Sequence, residues 1–436
     1  MSDVSTTGGL TVDPGHPARR EAEVRHLLAG LEAELADWAE AAKARGPMEK
    51  HRSQIESAVR VVSAALGRLR DMPAAERRDR APELVLDLHH LWDFFRGKWA
   101  MRHMPRQRRF LDVADELAWA VYDPVRRAAA PRQALREPPL TFLNRHPVPF
   151  AAARGSDFEE LLPSGRQRTM AGRRASRHLP FPVIGIPWSA SHHLPSLLAV
   201  AHETGHHIED DFGLTEPLRT RLREHARLSP ERLAVWEGWA GEVFADVCAT
   251  LACGVAYAWA LIDVLAAHPA AAEGSAEYPP LALRVLVCRA ALPDGESAGL
   301  PGAAHDAEAR AVVDALTGTG FEELGGATLP ALLGLRRPAE LHDASRNLLA
   351  GTGSRRNDVP GVLSAATLAF VADPDAYDLK KGYDPKNAGE RALSEVLALV
   401  PKGPRAAAAS PPRRAERDAL AGHELFDLFD RLRADG

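Results

Sequence analysis

His202-Glu203-Thr204-Gly205-His206 is a run whose residue types and spacing define a chemistry. On an α-helix, positions i and i+4 share a face one turn apart. Two imidazoles placed that way can both reach one tetrahedral zinc, at about 2.0–2.1 Å. Glu203 stands one residue off that line, beside the open coordination position, where a general base for a metal-bound water belongs. The flanks predict the helix: Leu197, Leu198, Ala201 and Ile208 recur at helical spacing after Pro195, a residue suited to a first turn.

A catalytic zinc takes three protein ligands and leaves its fourth position to water. Downstream, Ser229-Pro230-Glu231 reads as a helix start with Ser229 as N-cap. The helix starting at Ser229 is expected to run on through Gly241-Glu242-Val243-Phe244-Ala245-Asp246, in which Glu242 and Asp246 share a face amid the apolar Trp239, Val243, Phe244 and Val247. Two carboxylates facing a core are costly unless paired or metal-bound. Glu242 as a zinc ligand, with Asp246 one turn on accepting the N–H of a ligating His, satisfies both. On this reading Asp246 lacks a partner without metal, so Asp246→Asn is expected to spare or improve the metal-free fold. Glu237 is the rival ligand, five residues before Glu242, on another face and without the Asp.

His-Glu-x-Gly-His followed by Glu-x-x-Ala-Asp on a second helix resembles the gluzincin clan of zinc metallopeptidases, to which thermolysin belongs. Glu277-Tyr278-Pro279-Pro280-Leu281-Ala282-Leu283-Arg284-Val285 resembles the His-Pro…Arg-Ile segment of the CAAX-protease and heat-shock-protease family of membrane zinc peptidases. The three elements span residues 195–290. The resemblance implies His202, His206 and Glu242 as zinc ligands, Glu203 as general base, and Asp246 as the acceptor orienting His202. It also implies Tyr278 and Arg284 as catalytic donors to the tetrahedral oxyanion. Tyr278 stands where the membrane family has a His. The 36 positions between His206 and Glu242 exceed the thermolysin-like gap; the insert, Asp210 to Leu228, has a helical pattern of its own.

The function this implies is a zinc-dependent metallopeptidase, an endopeptidase in preference to an exopeptidase, acting on a peptide or protein substrate. Two alternatives stand beside it: a zinc-dependent hydrolase of a non-peptide amide, and a non-catalytic metal-binding regulatory or interaction protein. Pro182-Val183-Ile184-Gly185-Ile186-Pro187-Trp188, bounded by prolines, reads as an edge strand. In zincin folds such a strand pairs with an extended substrate backbone.

The elements that must position these residues are mostly helices. Val24, Leu27, Leu28, Leu31, Leu35 and Trp38 form one amphipathic stripe, broken at Gly46-Pro47. Ile55 to Leu69, Leu84 to Trp99 and Phe110 to Val125 form three more, and Leu140-Thr141-Phe142-Leu143 a short strand. The expected fold is mainly α with a small β-sheet (α+β), a zincin-like domain preceded by a helical N-terminal region. Its divisions are a disordered lead-in over 1–18, a bundle-like region over 19–130, the metallopeptidase domain over 131–400, a linker over 401–415, and an amphipathic helix over 416–436 that must dock. The N-terminal helices are the expected surface for a protein partner.

Composition limits the alternatives. At 45% hydrophobic and 26% charged residues, the 436-residue chain can bury a sizeable core. A net charge of −5 gives no basic field for nucleic acid. Cys248, Cys253 and Cys288 lie in apolar runs without ligand spacing and read as buried thiols of a cytoplasmic protein. No apolar segment follows Met1, so no secretion signal is expected. Val243 to Ile262 carries Asp246 as its one charge, yet Gly254 interrupts it; two buried helices meeting there are expected, not a membrane span. The Arg166–His178 cluster reads as a solvated loop, and Gly351-Thr352-Gly353-Ser354 lacks the lysine of a phosphate loop.

Overall fold

The computed structural model describes residues 15–129, 137–152, 181–266, 273–293, 295–297, 299–302, 305–382, 385–400, 403 and 411–434. The main helices that open the chain are α1 (His16–Ala41), α2 (Arg52–Arg70), α3 (Ala74–Ala100) and α4 (Pro105–Ala128). Three strands follow, β1 (Leu140–Asn144), β2 (Phe150–Ala152) and β3 (Val183–Pro187). Next come α5 (Ala199–Phe212), α6 (Thr215–His225), α7 (Pro230–Gly238), α8 (Ala240–Cys253), α9 (Val255–Ala266), α10 (Leu281–Ala291) and α11 (Asp306–Thr317). After these lie α12 (Leu341–Leu349), α13 (Val359–Ala372), α14 (Ala388–Leu399) and α15 (Pro411–Ala434), with shorter turns between. The protein is therefore mainly helical with one small sheet. The Arg166–His178 cluster and most of the 401–415 linker lie outside the described residues.

The described residues divide into two compact units: 15–97 and 411–434 in one, and those between 98 and 403 in the other. In the first, α15 docks along α2. Arg60 pairs with the buried Asp418 at 2.8 Å, and Arg68 lies over the Phe426 ring at 5.5 Å. The boundary is not the one periodicity suggests near residue 130. α4 belongs to the second unit, because Phe110, Leu117, Val121 and Val125 enter its core beside Ile208 and Phe212. Tyr122 on α4 also donates to Asp211 at 2.5 Å, a buried bond to α5.

The second unit holds the sheet, in the order β1-β3-β2, with β3 parallel to β1 and antiparallel to β2. β3 is central, which corrects the edge-strand expectation. Its prolines satisfy the ladder by position: Pro182 precedes the strand and offers its carbonyl to Leu140, and Pro187 is its last residue. The outer side of β1 is closed by side chains. Thr141 gives its backbone N–H to Asp115 (3.1 Å), and its carbonyl accepts from Arg102 (3.0 Å).

The apolar run of residues 243–262 becomes two helices. α8 stops at Gly254, whose φ of +64° is open to glycine at little cost, and α9 returns from it. Among the described residues, no helix is long and apolar enough to cross a membrane.

Candidate metal centre

α5 carries the pentad and α8 the two acids, and the helices pack at unusually close range. A Cβ added at Gly205 would stand 2.7 Å from the Ala245 Cα and 3.1 Å from its Cβ. Gly205, the fourth residue of the pentad, is thus the residue that lets the imidazoles meet the α8 carboxylates. Ser229 caps α7 through the Arg232 N–H, as its sequence indicates, but the helix does not run on to Asp246: it breaks at Trp239, whose backbone leaves the helical region, and α8 carries the two acids.

His202, His206 and Glu242 converge. The two Nε2 atoms are 3.2 Å apart, His202 Nε2 is 3.4 Å from Glu242 Oε2, and His206 Nε2 is 3.2 Å from Glu242 Oε1. Three ligands of a tetrahedral zinc, at bonds of about 2.0–2.1 Å, stand about 3.3–3.4 Å from one another. The donor set therefore has the size of a zinc cradle. Its chemistry fits as well: His202 Nδ1 faces Asp246 Oδ1 at 3.0 Å, so the ring proton belongs on Nδ1 and the Nε2 lone pair faces the cradle. Side-chain exposure rises from 10% at His202 and 13% at Glu242 to 23% at His206, which marks the side on which solvent reaches the centre.

The electrostatics follow from burial and three carboxylates. Burial alone would lower the His202 pKa, but Asp246 and Glu242 outweigh it and hold it up at about 10. The field that retains a proton there also favours a divalent cation. Glu242 is opposed by burial but held far below the usual carboxylate range by both imidazoles. Asp246, fully buried, is brought down to about 2 by Arg284 and His202. Glu203 is raised, chiefly by burial, against the pull of the imidazoles. A buried carboxyl with a raised pKa is a better proton acceptor than a solvated one.

Arg284 is brought to the centre, yet its guanidinium is engaged. Nε and Nη2 grip Asp246 Oδ2 and Oδ1 at 2.7 Å each, and Nη1 lies 3.4 Å from Glu242 Oε2. Asp246 thus has a permanent cationic partner, contrary to the expectation that metal alone would compensate it. Tyr278 is 51% exposed on the turn before α10. Its pKa is raised by burial, then by Glu242, Glu277 and Glu203, so it stands in the field of the centre. That turn is tied to the start of α8 by Trp239 Nε1 donating to the Ser275 carbonyl at 3.0 Å. Glu237 is elsewhere, in a two-pronged pair with Arg223 at 2.8 and 3.2 Å. His207 turns its back on the centre and bonds the Val183 carbonyl of β3 at 3.1 Å.

Tyr257 is the residue that motif reading misses. It lies on α9, buried, and its hydroxyl donates to Asp246 Oδ1 at 2.6 Å. The available signal is a tyrosine within an apolar run, since a buried phenol needs a polar partner. The pattern does not say which partner.

No protein family, no curated protein and no solved structure matches this chain.

Proposed function

We propose that the second unit is a zinc-dependent hydrolase. Within that class we assign it to the peptidases, cleaving internal bonds of an extended peptide or protein. The observation that carries this reading is the convergence of His202, His206 and Glu242 at 3.2–3.4 Å with a further carboxyl, Glu203, buried next to His202 and outside that set. A purely structural site closes its coordination with protein ligands and has no use for a base.

His202 Nε2, His206 Nε2 and a Glu242 oxygen would hold the ion. Zinc when bound supplies a Lewis acid that polarises a carbonyl and lowers the pKa of water. Glu203 takes the proton of the attacking water on its carboxylate and delivers it to the leaving amine nitrogen. Asp246 holds the His202 ring by its Nδ1–H, and Arg284 fixes Asp246 and leans on Glu242. Tyr278, half exposed and in the field of Glu242 and Glu203, is the residue we assign to meet the substrate carbonyl by its hydroxyl. With β3 flanked on both sides and Thr141 of β1 engaged by Asp115 and Arg102, an extended substrate would pair with β2, Phe150–Ala152. Three buried cysteines, free of disulfides, suit a cytoplasmic setting. The helices of the first unit are the proposed surface for a protein partner.

The test is zinc content and peptide hydrolysis of wild-type protein beside Glu203→Gln. The variant should keep about one zinc per chain and lose nearly all turnover. Turnover at the wild-type rate would reject Glu203 as base.

A further inference from the structure

We infer that Tyr257 is a positioning residue of the metal centre, its hydroxyl fixing Asp246 so that His202 presents Nε2 to the ion; this rests on the reading of His202, His206 and Glu242 as ligands. Asp246 is fully buried and accepts from three directions. Arg284 of α10 grips it along one edge, through Nε on Oδ2 and Nη2 on Oδ1. His202 of α5 reaches Oδ1 at 3.0 Å. Tyr257 reaches the same oxygen at 2.6 Å from α9, a third helix. The guanidinium grip holds both oxygens but leaves the carboxylate free to hinge about the line that joins them; a donor from a separate helix limits that motion. The phenol ring also runs nearly parallel to the His202 imidazole, 11° apart with centroids at 6.3 Å.

The hydroxyl has a chemical effect besides the geometric one. Each donor to Oδ1 makes the carboxylate a weaker base, so the shared proton stays on His202 Nδ1. With the proton there, Nε2 keeps its lone pair for the ion. A phenylalanine would fill the same volume and need no partner, so the phenol is where packing and ligand orientation separate.

The experiment uses full-length protein with Tyr257→Phe, Tyr257→Leu and the control Tyr377→Phe, a buried tyrosine on another helix. Zinc affinity is measured by chelator competition, the Co2+-loaded protein by its visible absorption, and each metal-free form by thermal melting. Tyr257→Phe should bind zinc about tenfold more weakly, the low end for outer partners of a ligating histidine, with a displaced Co2+ band. Tyr257→Leu should lose more, and Tyr377→Phe should change neither readout. Wild-type affinity and an unshifted Co2+ band in Tyr257→Phe would overturn the proposal, as would a variant that only melts earlier or fails to fold. Wild-type protein that takes up no zinc would overturn the metal reading and the Tyr257 role with it. One zinc in wild type and equal affinity in Tyr257→Phe would overturn the Tyr257 role alone.

Discussion

Gly205→Ala is the sharpest perturbation of the proposed centre, because it adds one carbon and touches no ligand. The new Cβ would stand 2.7 Å from the Ala245 Cα. Carbon contacts relax at about 3.5–4.0 Å, so α5 and α8 must part by roughly 1 Å. The ligand separations of 3.2–3.4 Å between these helices would then pass about 4 Å, beyond what one tetrahedral zinc spans. Zinc sites of four ligands bind with about 10–16 kcal/mol, so one compromised ligand costs about 2.5–4 kcal/mol, or roughly two to three decades in affinity. Stability moves less. Overpacking costs about 1–3 kcal/mol, and replacing a helical glycine returns up to about 1 kcal/mol. The metal-free variant should therefore fold and melt at most several degrees lower. Chelator competition measures the first effect and circular dichroism melts the second. A variant that binds zinc as wild type does, with an unchanged melt, would show that the close approach does not set the cradle, and the geometric argument would fail.

Other expectations are more direct. His202→Ala, His206→Ala and Glu242→Ala should each lose zinc by elemental analysis, while Glu237→Ala, which breaks only the pair with Arg223, should retain it. Asp246→Asn should weaken zinc about 10–100-fold. It should also destabilise the metal-free fold by about 3–5 kcal/mol, since it strips the buried Arg284 of its partner; a melt equal to or above wild type would refute the pairing argument. Leu425→Ala, at a fully buried site of α15, should lower the stability of the first unit by about 2–5 kcal/mol in denaturant titration and leave zinc affinity unchanged.

Local rules carried much of the architecture. Helical periodicity located α1 to α4, Ser229 marked a real N-cap, Gly254 divided an apolar run into two helices, and Leu140–Leu143 formed a strand. These features depend on residues a few positions apart, so the sequence displays them. The same holds for the pentad, whose histidines lie one turn apart on whatever helix contains them. Which helix faces that turn is a long-range matter. The proline-bounded segment became the central strand because β1 and β2 flank it, and no residue of β3 records that. α4 joined the second unit because its apolar face is completed by α5, although its own periodicity fits a bundle equally well. Glu237 and Glu242 differ little in sequence; Arg223 takes one and the imidazoles meet the other. Composition and spacing thus determined which side chains could bind a metal and which helices would carry them. The tertiary structure alone decided that Gly205 lets two helices close to contact, and that Arg284 and Tyr257, 38 and 11 residues from Asp246 in the chain, converge on its carboxylate. Burial raises the cost of any unpaired charge, and only the packed chain brings its partners within reach.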